Sequence, residues 1–533
     1  MQQRYLLDCT LRDGGYINDW KFGHDNLVNI FERLVSAGVD VIEIGFLDDR
    51  RAFDINRSIM PATNCVEKIF GKLHCKNSMI VGMIDYGTCD INNLQPCSES
   101  YLDGIRVIFK KDKMYPAMEY CRQIKDLGYK VFSQLVSIGS YSDEELLRVI
   151  RLANEVKPFA LSMVDTYGLL NPQNLKHIMK IIDVNLDSDI ILGFHAHNNF
   201  QLGYTNTISI LEYKTNRDVV VDGTLYGMGK SAGNAPLELI ALHMNEHYGK
   251  HYKITEMQEA ITESVMDFQR KSPWGYQLFY YIAASNKVHP DYVSYLMNKR
   301  TLSVTSVNDI LQRLPDDQKL EKNMKLIEEL YINYQKNECD DRKDIEKLSC
   351  ELKGKTLLVI GPGSSIGTYA SDIQKFIAKE HPVIISINYI PLQFHPDYMF
   401  TTNSRRYVQS VSKLYDKNYT DIKLIVSSNL SKAKKEFDFV INYSNIIDET
   451  AEFPDNSMCM LIRTLIRCGC KDVVLAGLDG YTADSVNYYD VDKEYSFLKG
   501  KAASLNDYAK DFFESIADKI QVSFLTPSKY QTR

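Results

Sequence analysis

Short apolar, β-branched runs alternate with amphipathic stretches along the first half of the chain. The runs are residues 5–12, 39–46, 79–85, 104–109, 130–136, 159–166, 189–198 and 218–229, and each has the pattern of a buried strand. Between them, stretches such as 26–37, 116–127, 143–155 and 171–183 carry apolar residues at helical spacing and stop at Gly, Asp or Pro signals. Eight strand and helix repeats within about 250 residues predict an α/β fold of the closed (β/α)₈ kind. An open doubly wound sheet would normally bring a GxGxxG first turn, and Arg12-Asp13-Gly14-Gly15 is not one.

The pattern then changes twice. Helical periodicity dominates residues 254–270 and 316–334, with an aromatic stretch at 272–281 between them, and residues 336–354 turn strongly charged. Strand patterns resume at 356–360 and recur at 382–388, 397–402, 422–427, 437–442 and 472–477. The expected organisation is a barrel over 1–250, a helical appendage over 251–340, a linker over 341–354 and a Rossmann-like α/β domain over 355–533.

Composition narrows the partners. A formal charge of −7 over 533 residues gives no electrostatic reason to expect nucleic acid or an anionic membrane surface. No apolar run reaches the roughly 18 residues of a spanning helix, and Met1-Gln2-Gln3-Arg4 leads straight into the first strand. The eleven cysteines include no CxxC pair, which reads as reduced thiols in a cytoplasmic protein.

Candidate chemistry collects at the carboxyl ends of the predicted strands, where barrels of this kind carry their active sites. Arg12 and Asp13 close the first run. The seventh ends in His195-Ala196-His197, and residues two apart on a strand face the same way, so two imidazoles can share one cation. Asp13 comes near them once the barrel closes. Two imidazoles and one carboxylate suit Mn²⁺, taken as the leading choice, or Mg²⁺, Co²⁺ or Zn²⁺. Asn234 either caps the helix expected from Pro236 or offers its amide oxygen to the metal. Glu43, a carboxylate inside an apolar strand, requires a partner such as Arg12 or a metal-bound water.

The Thr10-Leu11-Arg12-Asp13-Gly14, His195-Ala196-His197-Asn198 and Gly233-Asn234-Ala235-Pro236-Leu237-Glu238 elements resemble the signatures of the DRE-TIM metallolyases, which include HMG-CoA lyase. Within that superfamily the wording is most similar to the 4-hydroxy-2-oxovalerate aldolases. The resemblance implies a divalent metal on Asp13, His195 and His197, with Asn234 matching an asparagine ligand of more distant members, and Arg12 stabilising an enolate. It implies cleavage or formation of a 4-hydroxy-2-oxo acid, with a 2-oxo acid and an aldehyde as small-molecule partners. A Claisen-type acyl-CoA enzyme and a catalytically silent binding protein in surface polysaccharide synthesis are the alternatives, and homo-oligomerisation stays open. The sequence departs from the aldolases at Tyr16, which stands where they carry a histidine base. Tyr16 then acts as proton donor and orienter, or His24 or Glu43 serves as base. The resemblance also brings Tyr276 or Tyr280 toward the site.

In the last third, Gly361-Pro362-Gly363-Ser364 follows a strand and opens a helix, a turn whose backbone amides favour phosphate. Followed by Ser457 through Gly469 and then Val474-Leu475-Ala476-Gly477-Leu478-Asp479, it faintly resembles bacterial sialyltransferases and pterin-pyrophosphokinase-like domains. No histidine follows His395, so the sialyltransferase catalytic histidine has no counterpart. The expectation is a nucleotide or sugar-nucleotide held by Gly361, Gly363, Ser364 and Asp479.

Overall fold

Strands β1 (Arg4–Asp8), β2 (Val41–Leu47), the two-residue β3 (Ile59–Met60), β4 (Met79–Asp85), β5 (Gly104–Phe109), β6 (Lys130–Leu135), β7 (Ala160–Asp165), β8 (Ile191–Ala196) and β9 (Val219–Gly223) build the first half of the protein. The computed structural model describes residues 2–75, 77–299, 302–430, 437–449, 453, 455–483, 486–490 and 500–531, which divide into two units, Met1–Pro290 and Asp291–Arg533. The strands of the first unit pair in parallel, in the order β1-β9-β8-β7-β6-β5-β4-β2, and Leu7 opposite Val41 closes the ring. The short β3 extends the edge of β2.

The strands are apolar on both sides because both sides are covered. Every residue of β2 and of β7 is buried, as expected where side chains fill the barrel and helices wrap it. Leu7, Val41, Val81, Phe132, Ile191 and Val220 plug the interior. Outside, the helix His24–Ala37 buries Leu27, Ile30, Phe31 and Leu34 at helical spacing and is clasped by the helical segment after the barrel, through Arg33 to Glu256 at 2.8 Å and Asn29 to Ser264 at 2.8 Å. The helical stretch expected over 251–340 is thus shared between the units, which part at Pro290.

Two strand ends differ from expectation. β1 stops at Asp8, and Thr10–Asp13 is a helical turn. The Asp8 carboxylate accepts the Thr10 amide at 3.0 Å and the Thr10 hydroxyl at 2.6 Å, a local bond that competes with the strand ladder and turns the chain. Arg12 and Asp13 therefore sit on a turn above the barrel, not on the strand itself. β9 likewise ends at Gly223, where Thr224 donates to Ala235 O and the chain enters a short turn at Leu225–Gly227.

The second unit contains β10 (Leu357–Ile360), β11 (Val383–Ile387), β12 (Tyr398–Thr401), β13 (Lys423–Ser427), β14 (Phe439–Ile441), β15 (Asp472–Ala476) and β16 (Gln521–Phe524). They pair in parallel in the order β14-β13-β12-β11-β10-β15-β16. The chain steps outward from β10 to β14 and then returns to the other side of β10. β16 was not apparent in the sequence, being a short edge strand with alternate residues exposed. Among the described residues no helix is long and apolar enough to cross a membrane.

Candidate metal centre

His195, the penultimate residue of β8, and His197, just beyond it, point their Nε2 atoms at each other across 3.4 Å. Asp13, brought over the barrel by the turn after β1, places Oδ2 3.5 Å from His195 Nε2 and 3.8 Å from His197 Nε2. All three residues are at most 4% exposed. A point equidistant from these three atoms lies about 2.1 Å from each, the usual bond length from a divalent first-row cation to nitrogen or oxygen.

Asn234 completes the wall. Its amide nitrogen donates to Asp13 Oδ1 at 3.0 Å and to Met228 O at 3.2 Å, while its Oδ1 is buried with no donor. It is not a helix cap, because Pro236 occupies that position ahead of Leu237–His247. An orphaned amide oxygen beside a carboxylate and two imidazoles is the surrounding a cation satisfies. Gly229 is required here, since a Cβ would lie 2.0 Å from the Asn234 amide nitrogen and 2.6 Å from Asp13 Oδ1.

The charges around these ligands are organised by two buried arginines. Arg12 donates through Nη1 to Asp13 and through Nε to Glu43 Oε2 at 2.7 Å. Arg106, from β5, is 1% exposed and joins Asp222 of β9 to Glu43, 3.2 Å away. Asp222 in turn lies 3.0 Å from His195 Nδ1, which leaves the Nε2 of that ring to face Asp13. Such a carboxylate behind a histidine fixes the ring and raises its basicity as a ligand. Asp222 and Arg106 escaped the sequence reading because each sits inside an apolar strand, where only the closed barrel reveals the partner.

Electrostatics follow from this layout. Burial alone would raise Asp13, yet the Arg12 guanidinium and then His197 hold its carboxyl well below the usual range. Burial, outweighing Asp13, pulls the His197 imidazole down to about 4. It is neutral at pH 7, the form that binds metal. Burial opposes charge on His195 too, but its bonds to Asp13 and Asp222 leave it raised.

Residues 3–263 match the HMGL-like family. Through its barrel, the chain belongs to the DRE-TIM metallolyase superfamily. It is 26% identical over 270 residues to 4-hydroxy-2-oxovalerate aldolase 2 of Salinispora arenicola, covering 50% of this chain and 76% of that protein. It is 24% identical over 275 residues to an oxaloacetate decarboxylase of Mycobacterium tuberculosis, covering 51% and 78%. Among solved structures, the HMG-CoA lyase of Bacillus subtilis aligns with a TM-score of 0.41 and 15% identity, over 52% of this chain and 95% of that one.

The remaining candidates fall around this candidate metal centre unequally. Glu43 is fully buried and serves both arginines, with Oε1 left unbonded. Tyr16 follows the Asp13 turn, packs on Trp20 at 4.9 Å and is 42% exposed. Desolvation of its hydroxyl and then the Asp13 carboxylate push the phenol up to about 12. Lys230, which the sequence reading passed over, donates its amide to Asp13 Oδ1 at 3.0 Å and holds Nζ 5.4 Å from the Tyr16 ring and 5.8 Å from the Tyr167 ring. His24 pairs with Asp25 at 3.8 Å. Tyr276 is 62% exposed, and the aromatic stretch instead seats Trp274, whose Nε1 donates to Tyr226 O at 2.9 Å. Tyr280 rests on Phe279 at 4.7 Å.

In the second unit, the Gly361–Gly363 turn is closed against β15. Gly361 N donates to Ala476 O at 2.8 Å, and Gly363 N to Gly477 O at 2.7 Å. The Asp479 carboxylate accepts the Ser365 amide at 2.8 Å, the Ser365 hydroxyl, and the Ser364 hydroxyl at 3.5 Å. The place a phosphate would take at that turn is filled by the protein's own carboxylate.

Proposed function

We propose that the barrel is a divalent-metal-dependent carbon–carbon lyase acting on a 4-hydroxy-2-oxo acid, releasing or adding pyruvate as its enolate. The observation that carries this reading is the convergence of Asp13, His195 and His197 on one buried point, next to Asn234, which bonds Asp13 through its amide nitrogen and leaves its own oxygen unbonded. Bound there, a cation such as Mn²⁺ would polarise the carbonyl of a 2-oxo acid.

The chain's own groups do the rest. Arg12 stays charged, because Glu43 and Asp13 outweigh the burial that opposes it. Its guanidinium lies beside the ligands, where negative charge grows on the enolate oxygen, and such preorganised charge stabilises the transition state more than the ground state. Asp222 and Glu43 hold Arg106, His195 and Arg12 in place. With its phenol up at about 12, Tyr16 keeps its proton at pH 7. It acts as a donor that orients the substrate hydroxyl and protonates the enolate carbon, while the proton that cleavage takes from the 4-hydroxyl goes to the Glu43 carboxylate, whose Oε1 is unbonded, and is returned to the phenol through solvent.

That same phenol supports a second reading. Retro-aldol cleavage needs a base to remove the 4-hydroxyl proton, whereas loss of CO₂ from a 3-carboxy-2-oxo acid reaches the same enolate without one. A relative named oxaloacetate decarboxylase fits this chemistry, and Lys230 places a positive charge near Tyr16 for a second carboxylate.

The experiment supplies the metal-loaded full chain with a panel of 4-hydroxy-2-oxo acids, oxaloacetate and acyl-CoA thioesters. Pyruvate with an equivalent of aldehyde supports the aldolase, and pyruvate with CO₂ supports the decarboxylase. Free thiol, or no turnover with the ion bound, overturns both.

A further inference from the structure

The second unit encloses a cavity of about 810 Å³ at the carboxyl ends of its strands, a volume suited to a small organic ligand. Its walls come from the loops after β10 (Pro362), β11 (Asn388), β12 (Asn403) and β15 (Leu478). The order of strands reverses here, with β10 flanked by β11 on one side and β15 on the other. In open parallel sheets this crevice is the ligand-binding position.

Two helices begin at the cavity. Asn403 Oδ1 accepts the amides of Arg405 at 3.0 Å and Arg406 at 3.1 Å, ahead of helix Ser404–Leu414. Asn456 Oδ1 accepts the amides of Met458 at 3.1 Å and Cys459 at 3.3 Å, ahead of helix Ser457–Arg467. Both caps are neutral and the positive end of each helix dipole faces the cavity; Glu449 and Asp455 also line it, and burial raises the Asp455 carboxyl. The neutral caps differ from the turn after β10, where Asp479 supplies the negative charge.

Arg406 also lines the cavity, although it is only 6% exposed, and its guanidinium carbon lies 5.9 Å from the ring of Tyr488. Lys299 and Lys501 add charge at the wall. Tyr389, Tyr443 and Tyr488 also line the cavity, flat surfaces of a kind on which bases stack. Asn388 holds the left-handed φ of 60° and donates to Ser457 Oγ at 2.8 Å, which also meets Thr402 Oγ1 at 2.8 Å. A non-glycine residue in that conformation costs of order 1–3 kcal/mol and is found where surrounding structure holds it in place, often at ligand sites.

We propose that this cavity binds a nucleotide, with its phosphate at the two asparagine-capped helix starts and Arg406 and its base against the tyrosines. An inorganic anion would leave the aromatic wall and most of the volume unused, and an uncharged ring compound would leave the basic groups unused.

Calorimetric titration of the full chain in EDTA, which keeps phosphates off any barrel metal, tests this. The probes are CMP, UMP, AMP and GMP, their parent nucleosides and inorganic phosphate. At least one nucleotide is expected to bind, with its nucleoside and phosphate each at least about tenfold weaker. Asn456→Asp retains an equally good helix cap and is expected to keep the thermal unfolding temperature while weakening that nucleotide about tenfold or more. Arg406→Gln should act in the same direction. The proposal is overturned if none of the four nucleotides binds at millimolar concentration, if phosphate alone binds as well, or if the folded Asn456→Asp chain binds with unchanged affinity.

Discussion

Asp13 and Asp479 look alike in the sequence. Each follows a buried apolar run and precedes glycine, in Arg-Asp-Gly-Gly and Leu-Asp-Gly-Tyr. The fold gives them opposite roles. Asp479 spends both oxygens on the helix start at Ser365, and burial, exceeding those bonds, leaves its carboxyl raised. Asp13 receives a guanidinium instead of a helix end, stays ionised, and turns Oδ2 to two imidazoles while Oδ1 takes the Lys230 and Asn234 amides. What separates a carboxylate that ties down a turn from one that faces two imidazoles is the partner delivered by distant chain. For Asp13 those partners come from β8 and the loop after β9, about 180 to 220 residues away.

The comparison can be broken from the Asp13 side first. Glu43→Ala strips the acceptor shared by two buried arginines, and breaking a buried ion pair costs about 3–5 kcal/mol. The chemical denaturation midpoint of the first unit should fall accordingly, and an unchanged midpoint would mean the arginines are otherwise satisfied. Next, Arg12→Ala leaves Asp13, His195 and His197 in place but removes the charge beside them. Pyruvate release should drop roughly 10²- to 10³-fold, read as turnover at saturating metal.

From the Asp479 side the effects are smaller and purely structural. Asp479→Ala removes a helix cap, worth about 0.5–2 kcal/mol, and should lower the thermal unfolding of the second unit without altering pyruvate release. Asp479→Asn keeps an acceptor and removes the titration. Because the folded-state pKa of Asp479 lies above its usual value, its contribution to stability is full at pH values below that usual value and is lost as pH rises through the folded value. Between pH 4 and pH 7 the denaturation midpoint of wild type should therefore decline relative to that of Asp479→Asn, and a relative rise would reverse the assigned shift.

Much of the barrel was legible because its strands are continuous apolar runs, and the eight expected ones coincide with β1, β2 and β4–β9 apart from their ends. The ends were hidden where a side chain intervenes. Nothing in periodicity reveals that Asp8 will bond Thr10 and end β1 early, although an Asp two residues before a Thr is the local signal that could have suggested it. The paired histidines were readable from their spacing. Asp222 and Arg106 were not, since a charge inside an apolar run acquires meaning only from the strand beside it. In the second unit the glycine turn after β10 suggested phosphate, while the open cavity lies against asparagines that carry no motif.

In the proposed function one ion is shared by Asp13, His195 and His197. Titration of metal-stripped full chain with Mn²⁺, followed by the loss of the free-ion electron paramagnetic resonance signal, tests it most directly. The expected result is a single tight site per chain that vanishes in Asp13→Ala and in His195→Ala, with the barrel of both variants still folded. Equally tight, stoichiometric binding in those variants, or none in the wild type, would contradict it.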